Sequence, residues 1–67
     1  MSAQSGDRVY SDATGAYVLF YAAENCASAR DEYYPLRAGV RIGPYDGYAS
    51  LREAVAGIAR NDPRGTP

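Results

Sequence analysis

Histidine, lysine and tryptophan are missing from the 67 residues of this chain, and cysteine, methionine and phenylalanine occur once each. With a single cysteine, Cys26, no disulfide can form within the chain. Without histidine that thiol has no base to take its proton and no fellow ligand for a metal. A small buried or half-buried thiol is the expectation for it. Glu24, Asp31 and Glu32 are the nearest thing to an acid/base pair, but they fall in a polar stretch without pocket-forming neighbours and read as solvated charges. Gly39, Gly43 and Gly47 follow turn logic and lack phosphate-loop spacing. The inventory therefore points away from an enzyme, and neither a cofactor nor a metal is expected.

Long hydrophobic runs are absent too: nothing approaches the ~20 apolar residues of a membrane helix. The first residues have neither a charged nor an apolar signal region, so a cytoplasmic setting is expected. All seven cations are arginine, and the net charge is −1. That balance is neither a basic nucleic-acid binder's nor a strongly acidic mimic's. A chain of this length makes one domain that buries only about 60% of its unfolded surface. With no staple available, self-association, as a homodimer, is the expected further source of burial.

What is present is a helix signal and tyrosine. Residues 47–60 carry Ser50 and Glu53 at capping-box spacing, followed by Leu51, Ala54, Val55, Ile58 and Ala59 on one stripe. Upstream, residues 8–11 and 16–23 read as two strands joined by a hairpin at Asp12 to Gly15, with Gly15 at a position of positive φ. Val9 is expected on the Tyr17/Leu19/Tyr21 side of this ribbon and Tyr10 on the Val18/Phe20 side. Residues 24–38 read as a loop, or a short helical turn ending before Pro35. Residues 39–42 form the third strand, and Pro44 suits the second position of the turn that follows.

The expected fold is α+β: a small three-stranded antiparallel sheet packed on one C-terminal helix, βββα. It occupies residues 7–61, between a flexible N-terminus, 1–6, and a flexible tail, 62–67. The helix is expected to cover Val9, Tyr17, Leu19 and Tyr21. That leaves Tyr10, Val18 and Phe20 as an apolar patch on the reverse face.

Asp12, Gly15, Tyr17, Ala23 and Asn25, followed by Gly47, Tyr48, Ser50, Ala54, Ile58, Asn61 and Pro63, resemble the pattern of the YegP-like family of small βββα domains. The resemblance implies that fold and pairing of units, and no activity. Two features depart from the family: Asn25 opens into a long excursion where relatives have a tight turn, and Val18, Phe20 and Ala22 stand where relatives carry charge.

Seven tyrosines are present. Tyr17, Tyr21 and Tyr48 read as fillers of a thin core, with hydroxyls reaching water. Tyr33, Tyr34 and Tyr45 flank Arg37 and Arg41, and tyrosine with arginine is the composition of interface hot spots. The expected function is a non-enzymatic protein-binding module, an adaptor or a phage-type inhibitor such as an anti-CRISPR protein. Its contact residues would be Tyr10, Val18, Phe20, Tyr33, Tyr34, Arg37, Arg41 and Tyr45. The alternative is a sheet-based nucleic-acid-binding domain similar to the arm domains of phage integrases, with tyrosines stacking on bases and arginines on phosphates.

Overall fold

Four antiparallel strands in sequential order, with one α-helix against one face, make up the computed structural model, which describes residues 4–25 and 29–61. The strands are β1 (Arg8–Ser11), β2 (Ala16–Tyr21), β3 (Glu32–Arg37) and β4 (Val40–Arg41); the helix is α1 (Leu51–Arg60). A short 3-10 helix, Ala23–Asn25, lies in the middle of the chain. Cys26 falls outside the described residues, and so does the expectation made for it. The α+β class and the antiparallel sheet are as expected from the sequence. The three-strand count is not: the expected loop contains β3, and the expected third strand is the two-residue edge β4.

The β1–β2 hairpin forms as its turn chemistry dictates. The Gly15 amide donates to Asp12 O at 3.2 Å, the Asp12 amide donates to Ala16 O at 3.0 Å, and Gly15 has φ +89°. The Asp12 carboxylate accepts from the Thr14 amide at 2.8 Å and from the Thr14 hydroxyl. Chiefly through that hydroxyl, and against some desolvation, Asp12 is held below the ordinary carboxylate pKa; the Thr14 and Ala16 amides and the charge of Arg37 add to the effect. Upstream, residues 5–7 are tied to β2: the Gly6 amide donates to Phe20 O at 2.7 Å, and the Phe20 amide to Asp7 O at 2.9 Å.

β3 forms despite Pro35 at its centre because the missing N–H falls on the side where least is lost. The Ile42 amide donates to Pro35 O at 2.9 Å. In a strand the N–H and C=O of one residue point the same way, so the absent donor faces short β4 and the β2–β3 ladder stays complete. Six residues of β3 pair with all six of β2, from Ala16 opposite Arg37 to Tyr21 opposite Glu32. The β3–β4 turn is Ala38-Gly39, both at positive φ (55° and 77°), which matches the twist of adjoining strands. In the next turn the Gly47 amide donates to Pro44 O at 3.0 Å, which puts Pro44 first rather than second.

The helix covers the opposite face of the sheet from the one expected. Ala16, Val18, Ala54 and Ile58 form the core, with Val9, Tyr10, Tyr33, Ile42, Tyr48 and Leu51 packed around it. Val18 is 0% exposed and Phe20 8%. Val18 and Phe20 are therefore interior and Tyr10 is half-buried against the core, so the three form no free apolar patch, while Tyr17, Leu19 and Tyr21 lie half-buried on the reverse side. Two causes combine. Ala16 and Val18 are small enough for Ala54 and Ile58 to pack directly on them, whereas Tyr17 and Tyr21 at those positions would hold the helix off the sheet. A bulge between Arg8 and Tyr10 then turns Val9 to the helix side, although Tyr10 pairs with Val18 as expected.

α1 begins at Ser50, whose hydroxyl accepts from the Glu53 amide at 3.2 Å and donates to the Glu53 carboxylate at 3.3 Å. The return bond thus runs to the side chain of Ser50 and not to its amide. The helix's buried positions are Ala54, Gly57 and Ile58, with Ala59 exposed, so the seam is rotated toward Gly57 relative to the expected stripe.

Candidate interaction face

Alternation along β2 and β3 sends one set of side chains under the helix and the other to the reverse face. Ser11, Tyr17, Leu36 and Arg41 form one cross-strand row there, and Arg8, Leu19 and Tyr34 the next. Tyr21 and Glu32 form a third. The tyrosine and leucine side chains of these rows are half-buried, each shielded in part by its neighbours.

Both arginines of this face lie across aromatic rings. The Arg8 guanidinium carbon sits 4.0 Å from the centroid of Tyr17, and that of Arg41 lies 4.3 Å from the centroid of Tyr34. Their stems cover apolar surface while the charged ends stay in water. Arg41 also donates to Pro44 O at 2.9 Å and Tyr45 O at 2.8 Å, which fastens the β4–α1 connection to the sheet. The Arg8 side chain makes no hydrogen bond or ion pair among the described residues. Tyr21 meets Tyr34 edge-on at 5.5 Å, and the Tyr34 hydroxyl donates to the Glu32 carboxylate. Glu32 is 3% exposed, so the one carboxylate among these rows is withdrawn from the surface.

Of the contact residues expected from the sequence, only Tyr34 and Arg41 belong to this face. Tyr33 points to the helix side, its ring 5.3 Å from Phe20, and its backbone exchanges two hydrogen bonds with Tyr48. Arg37 is on the helix side as well, donating to Asn61 O and to the Thr14 hydroxyl, each at 3.3 Å, so it braces the first hairpin against the end of α1. Tyr45 is 88% exposed in the loop before α1. Sequence reasoning missed Arg8, Leu36 and the role of Tyr17, Leu19 and Tyr21. The available signal was that Tyr17 and Tyr21 share a strand face, and two tyrosines suit a wet face better than a covered one.

Among the described residues no group of His, Cys, Asp and Glu is placed to hold a metal ion, and no helix is long and apolar enough to cross a membrane. No family model, curated protein or solved structure matches the chain.

Proposed function

We propose that this is a non-enzymatic protein-binding module that works through the sheet face opposite α1. One observation carries the reading: Tyr17, Leu19, Tyr21, Tyr34 and Leu36 lie together on that face, bracketed by Arg8 and Arg41. Half-exposed tyrosines and leucines with arginine at the margins are the make-up of binding hot spots, where rigid rings give contact area at little entropic cost. An adaptor and an inhibitor such as an anti-CRISPR protein would use such a face alike. The resemblance to YegP-like domains is kept as a proposal about ancestry only.

The homodimer expected from the sequence rested on Tyr10, Val18 and Phe20, which form no free patch. Pairing through the reverse face would set the arginines of one copy against those of another, which favours a different protein as partner. Arg8 and Arg41 also give the nucleic-acid alternative its best support. Against it, their guanidinium groups occupy the faces of Tyr17 and Tyr34 on which bases would stack.

The test is photo-crosslinking in expressing cells, with benzophenone-alanine at position 19 on the proposed face or at position 52, exposed on the far side of the helix. Adducts to another protein from position 19 and not from position 52 are expected. Equal labelling from both positions, or none from position 19, would overturn the assignment.

A further inference from the structure

The reverse face has a symmetry that the chain as a whole lacks. A half-turn about the sheet normal, between β2 and β3, exchanges Tyr17 with Tyr34, Leu19 with Leu36 and Arg8 with Arg41, because each arginine sits beside one leucine of the pair in the same register. The stacking obeys it too: each arginine reaches diagonally over the tyrosine of the neighbouring row, at 4.0 Å on one side and 4.3 Å on the other. Two guanidinium groups therefore flank a diagonal of two leucines, above tyrosines that lie about 7–8 Å apart.

Stacking also sets what those guanidinium groups can do. A planar cation held flat on a ring keeps its N–H donors around its edge, with much of its rotational freedom already removed, and this suits in-plane recognition of a carboxylate. Arg8 has all its side-chain donors uncommitted among the described residues. The ionic balance of the rows is one-sided, since the only carboxylate in them, Glu32, is buried and accepts from Tyr34. A second copy would bring like charge to like charge.

We infer that this face takes an acidic segment of another protein, with an apolar side chain seated on Leu19 and Leu36 and a carboxylate on each of Arg8 and Arg41. The inference rests on the protein-binding reading above and adds the chemistry of the partner. The local half-turn places the two arginines alike, but Arg8 contributes more, since one amino group of Arg41 is already given to Pro44 O and Tyr45 O.

The test uses the full chain and fluorescein-labelled peptides of repeated Glu-Leu-Phe-Glu, Ser-Leu-Phe-Ser or Lys-Leu-Phe-Lys, together with labelled oligothymidine. Affinity is read by anisotropy and the contact face by amide chemical-shift mapping. The acidic peptide is expected to bind and to shift β2 and β3. Arg8→Gln should weaken it about fivefold and Arg41→Gln by less, while Arg60→Gln leaves it unchanged. Arg8→Gln decides the matter, since Arg41 also fastens a loop.

Tighter binding of the serine or lysine peptide at the same face would overturn the acidic partner and leave the protein-binding reading standing. Tighter binding of oligothymidine would overturn both. Shifts on β2 and β3 that depend on protein concentration alone would put a second copy there, and failure of every probe to bind would likewise overturn the inference.

Discussion

Tyr48 occupies the space that a side chain on residue 57 would need: a Cβ built on Gly57 comes within 2.6 Å of Tyr48 Cζ. A Cβ on Gly43 would likewise come within 2.6 Å of Tyr48 Cε2. The outer end of the ring is thus closely approached by two bare backbones, and a side chain on either would force it to shift. In an open helix Gly57→Ala would gain about 1 kcal/mol from propensity. Here it is expected to destabilise by about 1–3 kcal/mol, as overpacked cores do. Urea denaturation checks the sign, and Gly57→Ala combined with Tyr48→Leu should recover most of the loss.

Adjacent residues of β2 should respond in opposite ways. Phe20→Ala opens a void beside Tyr33 and should cost about 3 kcal/mol or more, a large part of the roughly 0.05–0.15 kcal/mol per residue that holds such a domain together. Val18→Ser leaves a hydroxyl in a dry core and should be comparably damaging. Leu19→Ser, on the reverse face, should cost about 1 kcal/mol or less. Thermal denaturation followed by circular dichroism separates them. Equal losses at Val18 and Leu19 would contradict the assignment of faces.

Arg37 should behave as a brace and not as a contact for a partner. Arg37→Met keeps the stem and removes the bonds to Asn61 and Thr14. The expected loss is about 1 kcal/mol for exposed bonds of this kind. Amide hydrogen exchange should speed up at both the Asp12–Gly15 turn and the end of α1. Crosslinking from position 19 should continue unchanged.

The lowered pKa of Asp12 fixes the direction of an acid effect. A carboxylate whose pKa is depressed on folding adds stability that is complete above its unfolded pKa, and this is lost as the pH falls through the folded value. Asp12→Asn keeps an acceptor for the Thr14 amide and removes the charge. The variant should be less stable than the parent near neutral pH. The gap in urea midpoint should close below the ordinary carboxylate pKa of 3.8.

The helix and the first hairpin were legible because their signals are local: Ser50 with Glu53, Asp12 with Gly15, and the spacing of Leu51, Ala54 and Ile58. β3 was not, because its identity depends on neighbours. Pro35 argues against a central strand until one knows that its missing donor points toward β4, and Ala38-Gly39 is a weak turn signal because alanine rarely adopts a positive φ. The choice of sheet face was out of reach for a similar reason. Both sides of β2 are apolar by composition, and the decision rests on side-chain size, small at Ala16 and Val18 and large at Tyr17 and Tyr21. The Arg8 and Arg41 pairs required the register of all four strands.

The outer margins of the sheet bear on how this molecule can grow. One margin is kinked at Val9 and the other is only two residues long, so neither offers the long straight row of backbone groups onto which a further strand would template. Polymerisation by end-on strand addition is thereby discouraged in a chain rich in β-forming tyrosine. A strand laid along either margin would find few backbone groups in line to pair with.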